Sequence, residues 1–245
     1  MPLLRTEDLS RSFGRLAATA SVNFSVERGE LRSIIGPNGA GKTTFFRLIA
    51  GELPPSAGRI FFKERDITGW PQHRICRLGI VKSYQITSIF PHLTVRENVR
   101  VAAQAARSAF NFWAKVDSLT DITERAERVL AAVRLSRRGA HQAGHLSHGE
   151  KRHLEIGIAL ATEPELLLLD EPTAGMSPEE TDATMHLIAE IAEGRTVLLV
   201  EHNMKLVMKI SRKITVLHQG QILAEGSPAD VRANDRVQQV YLGGQ

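Results

Sequence analysis

Leu31-Arg-Ser-Ile-Ile-Gly36-Pro37-Asn38-Gly39-Ala40-Gly41-Lys42-Thr43-Thr44-Phe45-Phe46-Arg-Leu48-Ile49-Ala50 decides the fold. A short apolar run stops at Gly36, three glycines fall within six residues, and from Lys42 apolar positions recur at helical spacing until Gly51. The order is strand, glycine-rich loop, helix. Gly36 to Thr43 fits the pattern G-x-x-x-x-G-K-[ST]. Glycines let successive backbone N–H groups turn inward around phosphate oxygens, and the start of a helix adds its positive end. Lys42 is placed to reach β- and γ-phosphates and the Thr43 hydroxyl to coordinate Mg²⁺. Gly36, Pro37, Asn38, Gly39, Ala40, Gly41, Lys42, Thr43 and Thr44 are therefore the first candidate nucleotide-binding set.

Outward from this stretch the same logic places the neighbours. Leu3–Asp8 and Ala20–Val26 read as strands, the second closed by a turn at Arg28-Gly29, and Arg59–Phe62 reads as a strand after the Pro54-Pro55 break. From about Pro91 to Ala161 apolar residues recur at three and four, through Val95, Val99, Ile122, Ala126, Leu130 and Val133. That spacing predicts a mostly helical insertion with an irregular middle around 108–118. Leu166–Leu169 and Thr196–Val200 are continuous apolar runs that alternate with the helical stretches Glu179–Ile191 and Met204–Ile210. Such runs predict strands buried on both faces of a parallel sheet, hence an α/β core. Lys213–Leu217 and Gln221–Ala224 form a hairpin about Gln219-Gly220.

Two more stretches carry chemistry. Leu166-Leu-Leu-Leu-Asp170-Glu171 brings two carboxylates to the C-terminal end of a buried strand, where open α/β sheets bind ligands. Asp170 is placed to hold Mg²⁺, and Glu171 to polarise an attacking water as general base. Leu146-Ser147-His148-Gly149-Glu150 precedes a helix running to about Ala161. Ser147 and Glu150 have the spacing of a capping box, and this stretch alone favours that reading. A capping box does not need Gly149, and the other reading has Ser147, the Gly149 N–H and the helix dipole gripping a γ-phosphate.

The order of motifs, namely phosphate loop, Gln85, Leu-Ser-x-Gly-Glu, Asp-Glu pair and His202 after a buried strand, resembles the ABC ATPases, the nucleotide-binding subunits of ABC transporters. The resemblance covers nearly the whole chain. It implies a P-loop NTPase of ABC type: a RecA-like parallel sheet core, an antiparallel β subdomain and a helical subdomain. One domain then spans 1–245, with 1–90 and 162–245 as catalytic core and 91–161 as the helical part carrying the signature loop. It further implies that Ser147, His148, Gly149 and Glu150 act on ATP bound by the opposite subunit of a head-to-tail dimer, with His148 where the family has Gly. Phe13 then stacks on adenine, Gln85 touches Mg²⁺ and the attacking water, and His202 contacts the γ-phosphate. Without the family, a core residue is the other reading of Phe13, Gln85 reads as a solvated loop amide, and a lone His at a strand end such as His202 is more often structural.

Finer resemblance narrows the class. Gln85-Ile-Thr-Ser-Ile-Phe-Pro-His-Leu-Thr-Val-Arg-Glu-Asn98, Leu154-Glu-Ile156, Ala174-Gly-Met-Ser-Pro-Glu179, Val200-Glu-His-Asn-Met204 and the tail from Ala224 to Gly243 are similar to the branched-chain amino acid uptake ATPases. The signature also resembles that of urea importer ATPases, and lipopolysaccharide-export ATPases share the single-cassette layout. The implied partners are membrane permease subunits, a second ATPase subunit and, indirectly, a solute-binding protein.

Composition limits the alternatives. Hydrophobic residues are 42% and charged residues 24%, which excludes disordered and collagen-like chains. The net charge is +4, too small an excess to indicate nucleic acid, and the Arg-over-Lys bias (23 to 8) adds no platform of stacking aromatics. One cysteine, Cys76, suits a reducing compartment and reads as a small buried residue. No apolar run approaches the roughly 18 residues of a membrane span, and no secretory h-region opens the chain. The expectation is a cytoplasmic protein, peripheral on the inner face of the cell membrane through its partners. A soluble ABC machine on nucleic acid or ribosomes is disfavoured, because one phosphate loop is present and only roughly 60 residues separate Gln85 from Ser147. His145, His148 and His153 have no Cys or carboxylate set to complete a metal site.

Overall fold

The computed structural model describes residues 1–83, 89–106 and 117–242. β1 (Leu4–Phe13) and β2 (Leu16–Val26) form a long antiparallel ribbon that turns at Gly14. β3 (Leu31–Ile35) is buried at every position, as its unbroken apolar run requires, and leads through the glycine loop into α1 (Lys42–Ile49). β4 (Ala57–Phe62) and the short β5 (Arg65–Asp66) complete a four-stranded antiparallel sheet in the order β2-β1-β4-β5.

α2 (Gln72–Arg77) precedes β6 (Ile80–Lys82). The helical insertion supplies α3 (Val95–Ala106), α4 (Asp117–Ala132) and α5 (His148–Leu160). β7 (Leu166–Asp170), α6 (Pro178–Ala192), β8 (Thr196–Val200), α7 (Met204–Ile210), β9 (Lys213–His218) and β10 (Gln221–Gly226) alternate as the sequence predicts. Two short helices, α8 (Pro228–Ala233) and α9 (Asp235–Leu242), follow. The second sheet has the order β10-β9-β3-β8-β7-β6, parallel from β9 to β6, with β10 antiparallel at its edge. The fold is α/β, with a central parallel sheet, an antiparallel sheet and a helical layer.

Alternate residues of each buried strand face opposite cores, because strand side chains alternate with period two. Leu166 and Leu168 pack with Phe45, Phe46 and Ile60 on the antiparallel-sheet side, where Phe24 and Phe45 meet edge to face at 5.2 Å. Leu167 and Leu169 face the helical side, among Val99, Leu130, Leu154 and Ile188. A third cluster, with Ile35, Val216, Val231 and Val237, seats the C-terminal helices. Truncating such a fully buried leucine costs about 2–5 kcal/mol.

One expectation is overturned: Cys76 is exposed rather than buried. Ile75 takes the inward position of α2, and the next residue lies about 100° further round the helix, facing solvent. The strands β1 and β2 also run further than read: Ser10, Arg11 and Ser12 interrupt the apolar alternation of the first, and Leu16-Ala-Ala-Thr19 gives the second none, with Leu16 and Ala17 exposed. The expected irregular middle near 108–118 and Gln85 lie largely or wholly outside the described residues.

Candidate active site

The loop after β3 wraps as its glycines allow. Gly39 and Gly41 hold φ of 78° and 97°, in the left-handed region that L side chains rarely adopt. A Cβ on Gly41 would lie 2.2 Å from the Ala18 carbonyl oxygen, and one on Gly36 2.2 Å from the Leu217 carbonyl oxygen. Both glycines are thus required by close approach from neighbouring strands as well as by the turn. The buried Lys42 ammonium donates to the carbonyls of Gly36 at 2.7 Å and Pro37 at 2.9 Å, which leaves one of its three donors for a phosphate oxygen. Burial pushes its pKa down, against the nearby carboxylates of Glu171 and Asp170, which raise it. The paired carboxylates thus help keep charged a lysine that desolvation works to neutralise.

A cleft of about 340 Å³ is lined by Phe13, Leu16, Ala17, Ala18, residues 38–44, Glu171 and His202. The loop thus shares one cleft with Glu171 and His202, which lie about 130 and 160 positions further along the chain. Phe13 is 44% exposed and Leu16 69%, so Phe13 is no core residue; it offers a ring face beside the loop, as base stacking requires. The Arg11 guanidinium lies 4.9 Å from the centre of that ring.

Across the cleft, β7 delivers Asp170 and Glu171. Asp170 is 1% exposed, 3.6 Å from the Lys82 ammonium, and its Oδ1 is buried with no hydrogen-bond partner. Burial raises its pKa, and Lys82 opposes that shift. An orphaned buried carboxylate oxygen near a hydroxyl-bearing loop suits a hard divalent cation that keeps waters and takes further oxygens from phosphates. Among the described residues no cluster of three or more His, Cys, Asp or Glu could hold a metal without such help. The expected set of Asp170 and Thr43 therefore fits Mg²⁺ as a companion of nucleotide.

Glu171 has φ +47°, costly for a side chain other than glycine by roughly 1 kcal/mol, so the surroundings must hold it there. In that conformation its Oε1 lies 2.5 Å from His202 Nε2. His202 itself follows β8, and Asn203 caps α7 by accepting from the Leu206 N–H at 3.3 Å. A carboxylate and an imidazole in hydrogen-bond contact at the mouth of a phosphate cradle can share and pass a proton.

The signature stretch takes the geometry of a capping box. Ser147 Oγ accepts from the Glu150 N–H at 3.2 Å, and Glu150 accepts from the Ser147 N–H at 2.9 Å. Arg138 donates to Glu150 at 2.8 Å, and these bonds hold its carboxyl below the usual range, the Ser147 N–H first among them. Gly149 is buried against Glu180, where a Cβ would meet the carboxylate Oε1 at 3.0 Å, so any larger residue requires the Glu180 side chain to give way by a few tenths of an ångström. His148 Nε2 lies 3.2 Å from the Ala174 carbonyl and is absent from the lining of the phosphate cleft. Within one chain, then, Ser147, His148, Gly149 and Glu150 stand apart from the phosphate loop. Gln85 lies outside the described residues.

Three residues near the site escaped the sequence reading: Lys82, Arg152 and Glu201. Each is a charge at or beside the end of a buried strand or on a buried helix face, the one signal that marked them.

Phosphate loop, carboxylates at the end of β7 and the strand order around them define a phosphate-loop nucleoside triphosphatase. The sequence profile described as "ABC transporter" matches residues 19–174, and that of "Branched-chain amino acid ATP-binding cassette transporter" matches residues 221–245. The high-affinity branched-chain amino acid transport ATP-binding protein LivG of Salmonella typhimurium is 40% identical over 250 residues, covering 99% of this chain and 98% of that one. The corresponding protein BraF of Pseudomonas aeruginosa is 41% identical over 251 residues, with the same coverage. A crystal structure of the ADP conformation of an ATP-binding cassette of an ABC transporter superposes with a TM-score of 0.86 at 32% identity, over 99% of each chain. The chain belongs to the ABC transporter ATP-binding family, among the branched-chain amino acid cassettes, and is an ATP-hydrolysing transporter subunit.

Proposed function

We propose that the chain hydrolyses MgATP in a head-to-tail dimer and couples it to uptake of branched-chain or other amino acids. The observation that carries the catalytic part is the contact of Glu171 with His202 in the cleft that the phosphate loop lines. In this reading residues 36–44 bind the phosphates, Phe13 stacks on adenine, Glu171 takes the proton of the attacking water, and His202 holds Glu171 and the γ-phosphate in line. Asp170, Thr43 and Gln85 hold Mg²⁺, which neutralises charge developing between the β- and γ-phosphates. Ser147, His148, Gly149 and Glu150 serve ATP on the opposite subunit; their distance from the chain's own cleft supports this.

The domain is single over 1–245, with 91–161 as its helical part. Among the described residues no helix is long and apolar enough to cross a membrane. In this reading the chain meets the membrane through permease subunits. A groove of about 160 Å³ lined by Val81, Lys82, Ser83, Glu155, Ile158, Ala159 and Thr162, between β6 and the helical layer, supports docking of a permease segment there. The partners are two permease subunits and a second ATPase subunit, indirectly a solute-binding protein, and no nucleic acid; the site of action is the cytoplasmic face of the cell membrane. Contacts made only in the closed, ATP-bound dimer supply the differential affinity that shifts the transporter between states.

The test is a mild-detergent purification of the tagged chain from native membranes. Two multi-span permeases, a second ATPase and a solute-binding protein that takes a branched-chain amino acid are expected. A binding protein that takes urea instead, or a permease of the lipopolysaccharide-export type, would replace the solute and leave the ATPase chemistry standing. Recovery with ribosomes or nucleic acid and no permease would overturn the transport reading.

A further inference from the structure

The segment Asp170-Glu171-Pro172-Thr173 is held from both sides by buried charges that no motif includes. From α5, the guanidinium of Arg152 donates to the carbonyls of Asp170 at 3.0 Å, Glu171 at 2.8 Å and Pro172 at 3.0 Å. Its fourth bond, 2.7 Å to Glu155, pairs the charge within the helix. From the end of β8, Glu201 is 4% exposed; its Oε1 accepts from the Thr173 N–H at 3.1 Å and the Thr173 hydroxyl at 2.7 Å. Its Oε2 accepts from the N–H of His202 at 3.2 Å. One carboxylate thus joins the segment that carries Glu171 to the residue that Glu171 touches.

We infer that Arg152 and Glu201 are positioning residues of the hydrolytic pair: Arg152 holds Glu171 in its left-handed backbone conformation, and Glu201 sets the separation of Glu171 from His202. A planar guanidinium reaches three successive carbonyls in fixed directions, which a lysine ammonium on a flexible stem does not. A left-handed non-glycine residue persists only where its surroundings over-determine it, and here the carbonyls on both sides of Glu171 are pinned. Because Arg152 lies one turn into the helix that Ser147 caps, the base is also tied to the pose of the signature helix in its own chain. Neither side chain lines the phosphate cleft, so nucleotide binding does not depend on them.

The inference rests on Glu171 being the base, and the experiment separates the two. Steady-state ATP hydrolysis by the full chain is measured for the parent, Glu171→Gln, Glu201→Ala, Glu201→Gln and Arg152→Lys, normalised to sites that bind ATP. Glu201→Ala and Arg152→Lys should lower kcat by roughly 10- to 100-fold, the scale of an ångström-sized misplacement of a reacting group, with KM for ATP within about 2-fold of the parent. Glu201→Gln keeps one acceptor for Thr173 but turns an amide NH2 toward the His202 N–H, so it should recover only part of the rate that Glu201→Ala loses. If Glu201→Ala fails to fold, Arg152→Lys, which keeps the charge beside Glu155, carries the test. Parental kcat and parental KM in a variant with lowered thermal stability would reduce the residue to a structural role and overturn the inference. Parental turnover in Glu171→Gln would overturn it together with the assignment of the base.

Discussion

The two walls of the cleft are built by different means. On the phosphate-loop side, residues adjacent in sequence do the work, through backbone conformation and glycines at Gly39 and Gly41. On the Glu171 side, one residue is held by partners drawn from two distant segments: Arg152 on α5, and the run from Val200 at the end of β8 to His202, in which Glu201 anchors the neighbouring Thr173. The first wall is encoded locally and tolerates little local change. The second depends on packing between the helical layer and the sheet, so it can respond to anything that moves one against the other. On the proposed reading, binding falls on the first wall and chemistry on the second.

Four changes break or sharpen this contrast. The largest effect is expected at Glu171: replacement by Gln removes the proton acceptor and should cut turnover by about 10²–10⁴-fold while ATP binding stays. A stable ATP-bound dimer in size-exclusion chromatography would accompany it. Gly41→Ala attacks the other wall, since a Cβ 2.2 Å from the Ala18 carbonyl at φ +97° cannot be seated without moving the loop. ATP affinity should fall by at least about tenfold, given a strain of roughly 1–2 kcal/mol before any clash, as isothermal calorimetry would read. The order of damage should reverse between assays: Glu171→Gln hurts rate and spares binding, Gly41→Ala hurts binding first.

Ser147 separates the cap from the phosphate grip. Ser147→Ala should cost about 1 kcal/mol of stability in denaturant unfolding, and Ser147→Asp should restore it. If both variants lose turnover alike, the hydroxyl has a second role on the partner's nucleotide. If Ser147→Asp restores rate with stability, the cap is its whole contribution.

The smallest effect concerns His153, half-buried on α5, whose Nε2 lies 3.1 Å from the Thr184 hydroxyl. Burial lowers its pKa below the ordinary 6.5, with Arg134 adding to the shift and Glu150 opposing it. The unfolded chain therefore binds that proton more readily, and stability should fall as pH drops below 6.5. Carboxylates with lowered pKa, such as Glu150 and Asp66, begin to lose their contribution only near and below their ordinary values, further into acid. Asp170, raised by burial, acts in the opposite direction. The urea midpoint of the parent minus that of His153→Gln, at pH 7.5 and 5.5, cancels both and should shrink toward acid.

Legibility followed the same divide. The loop from Gly36 to Thr44, the strands β3 and β8 and the helix α7 could be read at or near their bounds, because each is specified by neighbours in sequence. Phe13 could not be decided from its own stretch: whether a strand's aromatic is covered depends on the sheet opposite, and here nothing covers it fully. Cys76 was misread for the same reason, one helical step deciding between core and solvent. The sequence reading passed over Arg152 and Glu201, because the carbonyls and N–H groups they satisfy come from elsewhere in the chain.

The sequence by itself determined the class of the protein, its phosphate cradle, its buried strands and the caps of its helices, since these rest on spacing, φ preference and local hydrogen bonds that act within a few residues. Only the tertiary structure decided that Glu171 meets His202, that Asp170 has one buried oxygen without a hydrogen bond beside Lys82, and that Arg152 and Glu201 hold the strand exit from either side. Those contacts join residues 18 to 88 positions apart. Desolvation makes each buried charge depend on a partner, and the fold alone chooses which partner arrives.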